Sequence, residues 1–143
     1  MLVTTLNKIK QYYPCVGSWK MLLKHLGKTK ADDEALSFLT ILESNGFDDA
    51  LWCARAAPEY SYEWRLFAVW CIEQVRHITD EASYLTDRIA VTSNVAIAAE
   101  YAAEKAADIY AEYTDDEGDE AWSAYHDARE CQREQFIKII SGE

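Results

Sequence analysis

Glu100, Glu104, Asp108 and Glu112 recur at every fourth position, and Asp115, Asp116, Glu117, Asp119 and Glu120 follow around Gly118. Carboxylates at that spacing stand in one row along a helix. Such a row can meet a basic partner or imitate the phosphates of nucleic acid. It has a cost, because like charges one turn apart destabilise a helix by roughly 0.2–0.5 kcal/mol per pair. Lys105, three residues before Asp108, offsets that repulsion in part. The carboxylates read as solvated rather than paired in a cleft, so they carry no acid–base chemistry. These nine acids are the expected protein-interaction surface.

The other reactive residues are dispersed. The histidines are His25, His77 and His126; the cysteines are Cys15, Cys53, Cys71 and Cys131. No CxxC is present, and no His or Cys pair has the local spacing of metal ligands. No nucleophile elbow, dinucleotide-binding glycine motif or phosphate loop occurs. Asp115 to Glu120 lacks the alternation and distal Glu of a calcium loop. The expectation is no catalytic residue, no metal and no cofactor. The cysteines read as small buried hydrophobes in a reducing cytoplasm. Lys20, Lys24 and Lys28 read as the wet side of a helix rather than a phosphate-binding row. Trp64 and Trp70, with Tyr60 and Tyr62, read as core aromatics rather than a ligand cage.

These residues need elements to hold them. The chain has 143 residues, half of them hydrophobic and 13% aromatic, with only five Gly and two Pro. That length and composition fit one helix-rich domain with a real core. Ser61 to Asp80 is the expected hub, since its middle, Leu66 to Ile72, is apolar on nearly every side. Before it, helices are expected over Leu2–Tyr13, from Ser18 as N-cap to Gly27, from Asp32 or Asp33 to Asn45, and from Asp48 toward Pro58. After it, Asp80 caps a further stretch, with His77 closing the hub against its carbonyl end. Val95–Tyr113 and Asp119–Ile140 then form a hairpin. Its second helix has Trp122, Tyr125, Ala128, Cys131, Phe136, Ile139 and Ile140 on the inner face. The expected fold is all-α: a compact bundle of about six to seven helices with a central apolar helix and a C-terminal helical hairpin, residues 1–143 forming a single domain.

Charge is unevenly spread over this frame. Residues 1–30 carry six lysines and no acid, +6, whereas the remainder has 25 acids against eight bases, −17. The basic segment either docks on the acidic body or meets a partner. No apolar run is long enough for a transmembrane helix, and the N-terminus lacks the pattern of a signal peptide.

Three stretches carry a resemblance: GSWKMLLKHLGKTKADDE at Gly17–Glu34, DDALWCARA at Asp48–Ala56, and RLFAVWC at Arg65–Cys71. Over residues 16–80 the chain resembles a group of uncharacterised phage and prophage helical proteins. More loosely it is similar to Ala-rich helical proteins labelled as immunity proteins of bacterial toxin systems. The resemblance brings no catalytic residues with it. The acidic C-terminal region departs from the group, whose tail is Ala- and Arg-rich. The resemblance implies a non-enzymatic, phage-type accessory protein of the host cytoplasm. The −17 body and the lack of any site chemistry point to a protein that binds and inhibits a host protein, as an anti-CRISPR or anti-restriction component does, through the acidic helical surface. No membrane and no direct nucleic-acid partner is expected, and a homodimer stays open. The alternatives are a DNA-mimic inhibitor of a nucleic-acid enzyme, a toxin-immunity-like binding protein, and a small-ligand-binding helical domain built on the aromatic hub.

Overall fold

Val3 and Thr4 are β-branched, and Thr5 is a good cap, so a helix does not begin at Leu2. The computed structural model describes residues 1–75, 95–113 and 119–143, with side chains up to 108 in the second of these ranges. It places Val3–Thr4 (β1) antiparallel to Leu36–Ser37 (β2), with Val3 opposite Ser37 and Thr4 opposite Leu36. Thr5 then accepts from the Lys8 amide at 3.2 Å and opens a short helix, Leu6–Lys10 (α1). The expected helix over Leu2–Tyr13 is thus split into strand, cap and one turn and a half of helix. The buried Thr4 hydroxyl donates to the Ala56 carbonyl at 2.9 Å, which satisfies a polar group that the strand carries into the core.

Two further caps also differ from expectation. Helix α2 spans Val16–Leu26, and its N-cap is Cys15, whose Sγ accepts from the Ser18 amide at 3.4 Å. Ser18 lies inside the first turn. Gly27 ends α2 in the left-handed region at φ 65°, as a C-terminal glycine should. Helix α3 spans Phe38–Asn45 and is capped by Ser37, which accepts from Thr40 N at 3.1 Å. Asp32 serves a loop instead: its side chain accepts from Glu34 N at 3.1 Å. Gly46, at φ 88°, both stops α3 and begins Phe47–Cys53 (α4). Asp48 and Asp49 occupy the first turn of α4, where acids complement the helix dipole. Two 3-10 turns, Ala54–Ala56 and Pro58–Tyr60, lead onward.

The chain divides into two compact units, Met1–Ser61 with Ile137–Glu143, and Tyr62–Phe136. The first unit buries Leu6, Ile9, Leu22, Phe38, Ile41, Leu42 and Leu51. Its C-terminal piece is tied in by Leu2 N donating to Ile140 O at 2.7 Å. Two lysines of the basic segment are held inside this unit: Lys8 on Glu59 at 2.5 Å, and Lys28 on Asp32 and Glu34 at 2.8 and 2.6 Å. The contacts raise both lysines' pKa values and lower those of Asp32 and Glu59, chiefly through these side-chain hydrogen bonds.

Among the described residues, the second unit holds most of helix Ser61–Val75 (α5), helix Val95–Tyr113 (α6) and helix Asp119–Ser141 (α7) as far as Phe136. In α5 the buried residues are Trp64, Phe67, Ala68, Cys71, Ile72 and Val75, one stripe at helical spacing. Its apolar middle is not covered all round, for Leu66 is 48% exposed. Trp64 stacks on Phe136 of α7 at 6.0 Å, and Phe67 meets the edge of the same ring at 5.4 Å. Helix α6 buries Val95, Ala98, Ala99, Ala102 and Ala103. Small residues there let α7 approach closely enough for buried Gln132 to donate to Ala99 O at 2.8 Å. The fold is all-α apart from the β1–β2 pair, with α6 and α7 forming the expected C-terminal hairpin. His77 and Asp80 to Asn94 lie outside the described residues, as do residues 114–118.

Candidate functional site

The expected acidic row is not uniform. Glu100 is engaged across the hairpin, although its side chain is 47% exposed: it accepts from the Tyr125 hydroxyl at 2.8 Å and lies 3.8 Å from Arg129, whose side chain is only 12% exposed. A carboxylate so engaged helps to hold the hairpin. Glu104 and Asp108 are exposed, and Asp108 pairs with Lys105 at 3.1 Å. Asp119 and Glu120 are exposed in the first turn of α7. The side chain of Glu112, and all of Asp115, Asp116 and Glu117, lie outside the described residues.

The structure brings Glu104 and Asp108 together with residues that the charge pattern does not single out. They line an open cleft of about 580 Å³ with Tyr101, Lys105, Trp122 and Tyr125. Trp122 was expected on the inner face of α7, and the structure corrects this: it is 64% exposed, with the His126 ring 4.0 Å away and tilted by 49°. Cys131 is likewise exposed. The inward stripe of α7 runs instead through Tyr125, Arg129, Gln132, Phe136 and Ile140. The signal for an outward Trp122 lay in its neighbours, since Asp119, Glu120, Ser123, His126 and Asp127 surround it with polar side chains.

Two details show what this cleft can hold. Lys105 Nζ stands 5.6 Å from the centre of the Tyr101 ring while it pairs with Asp108. A cation is thus already received by one ring and one carboxylate. The Tyr101 hydroxyl oxygen is shielded from solvent and has no hydrogen-bond partner among the described residues. A buried polar atom left so costs about 1–3 kcal/mol.

Other candidate chemistry is weaker. A second pocket near Trp19, Asn45 and Trp52 has a volume of about 20 Å³, room for little more than one water. In the hub, Trp64 is 1% exposed against Phe136, so its ring is packing rather than a cage wall. Trp70 is half-buried and stacks on Phe67 at 6.5 Å. Lys20 and Lys24 are exposed on α2, whereas Lys28 is taken up by Asp32 and Glu34. Among the described residues, no group of three or more His, Cys, Asp or Glu is placed to hold a metal ion. No described helix is long and apolar enough to cross a membrane.

The cysteines divide into two classes, where burial was expected for most. Burial pushes the Cys53 and Cys71 thiols up to about 12. Cys15 and Cys131 are exposed, and the Ser18 side chain and amide lower the Cys15 pKa by hydrogen-bonding its sulfur. A thiol reagent applied to the native protein should therefore modify two thiols quickly and two only after denaturation, with Cys15 first. Mass spectrometry of the labelled peptides checks this; fast native labelling of Cys53 or Cys71 would contradict it.

No protein-family model, curated protein or solved structure matches this chain.

Proposed function

We propose that the protein is a non-enzymatic, phage-type accessory protein that binds and inhibits a host protein of a bacterial defence system. The contact surface is the outer face of α6 and α7. The observation that carries this reading is Trp122, an exposed indole among carboxylates. Trp is among the residues most characteristic of interface hot spots, and this one is 64% exposed rather than part of the core. The resemblance of residues 16–80 to phage and prophage helical proteins supports the biological setting, which is the bacterial cytoplasm.

The same geometry favours protein binding over DNA mimicry. A phosphate imitation needs an uninterrupted array of free carboxylates. Here Glu100 is engaged by Tyr125 and Arg129, Asp108 is paired with Lys105, and aromatic rings lie between the acids. A small-ligand site in the hub is disfavoured by the close packing of Trp64.

Affinity capture from bacterial lysate with mass spectrometry tests the reading. The wild-type chain is compared with a Glu104→Lys/Asp108→Lys variant, with and without competing duplex DNA. The expected result is a discrete protein retained by the wild type, lost by the variant and indifferent to DNA. An identical captured set for both proteins would remove the proposed surface, and displacement by DNA would favour mimicry. Glu100 is left unchanged because its replacement would loosen the hairpin itself.

A further inference from the structure

We infer that the cleft between α6 and α7 receives an arginine side chain of the partner; this rests on the protein-binding reading above and names the group recognised. The cleft offers three aromatic rings, Tyr101, Trp122 and Tyr125, with two carboxylates, Glu104 and Asp108. Aromatic faces beside carboxylates attract cations, and a planar guanidinium can both stack on a ring and pair with an acid.

The chain's own cations show both parts of this chemistry. Lys105 combines the Tyr101 ring with Asp108 in the cleft wall. Arg55 lies over the Trp52 ring with its guanidinium carbon 4.5 Å from the centroid. Within the cleft Lys105 satisfies Asp108, whereas Glu104 is exposed and no salt bridge engages it among the described residues. Glu104 and the exposed part of the Trp122 ring are therefore the groups left for an incoming cation.

Arginine fits better than lysine for two reasons. The broad exposed indole of Trp122 suits a flat guanidinium, which is also more weakly hydrated than an ammonium. A guanidinium also has five N–H groups to distribute between Glu104 and the cleft rim, where an ammonium has three. A basic segment of the partner also matches the charge of the surrounding surface, with Asp119 and Glu120 at the start of α7.

The test follows the Trp122 indole N–H signal by NMR in the full chain, assigned with Trp122→Phe. The probes are three tripeptides, Gly-Arg-Gly, Gly-Lys-Gly and Gly-citrulline-Gly, the last a neutral isostere of arginine. Saturable shifts of the Trp122 signal are expected with the arginine peptide. Binding should be roughly tenfold weaker with lysine and absent with citrulline, given the preference of aromatic faces for guanidinium. Glu104→Gln should weaken the arginine peptide by about fivefold or more while the rest of the spectrum stays unchanged, consistent with loss of one charge-assisted hydrogen bond. Equal binding of lysine or citrulline, or no response at Trp122, overturns the proposal. Partner capture keeps the two readings separable. If capture depends on Glu104 and Asp108 while the cleft ignores arginine, only the present inference fails. If arginine binds while capture is indifferent to those acids, the partner reading fails instead.

Discussion

Phe136→Ala should lower the stability of the protein by about 3–5 kcal/mol, the range for deleting a large buried aromatic side chain. The ring is 0% exposed, stacks with Trp64 at 6.0 Å and meets Phe67 edge-on at 5.4 Å. Removing it leaves a cavity against two other rings that cannot easily collapse. It also takes away aromatic pairing worth about 0.5–1.5 kcal/mol per contact beyond the buried area. Urea unfolding followed by circular dichroism measures the effect. A loss below about 1 kcal/mol would mean that α5 and α7 do not pack through this cluster, since core truncations of this size cost several times more.

Fourteen residues earlier on the same helix, Trp122→Ala should do the reverse. Its indole is 64% exposed, so the stability change should stay within about 0.5 kcal/mol, as for ordinary surface substitutions. Partner affinity should fall by about 2 kcal/mol or more, the usual cost of truncating a hot-spot tryptophan, which is roughly thirtyfold in Kd. Calorimetric titration of the captured partner against the wild type and the variant reads this directly. A large loss of stability would show that Trp122 serves the core. Unchanged affinity would show that it lies outside the interface.

The contrast between Phe136 and Trp122 shows what could be read from the chain before its structure. Helical periodicity located α5, α6 and α7, because long amphipathic segments repeat their signal over many turns. It put both Phe136 and Trp122 inside, since a period identifies a face but not where along the helix a neighbour stops covering it. Short elements were harder. Leu2–Tyr13 has helical spacing, yet Thr5 caps late and Val3–Thr4 pairs with Leu36–Ser37, a contact across more than thirty residues that no local pattern carries. Cys15 and Ser37 took the capping places expected for Ser18 and for Asp32 or Asp33, because several residues in each loop are competent caps and tertiary contacts choose among them.

The acidic row was legible as a row but not as a site. Charge spacing placed Glu100, Glu104 and Asp108 on one helix, but it could not tell that Glu100 would meet Tyr125 and Arg129 from α7. The same separation in sequence hid the cleft. Tyr101 and Lys105 come from one helix, Trp122 and Tyr125 from the next, and only their packing brings two carboxylates among three aromatic rings.

Hydrogen–deuterium exchange of the chain alone and bound to its captured partner tests the central claim most directly, that the outer face of α6 and α7 is the contact surface. Protection on binding is predicted within 97–108 and 119–127, the segments that carry Glu104, Asp108 and Trp122, with residues 1–61 unchanged. Protection confined to residues 1–61, with the two hairpin segments exchanging as before, would contradict the account.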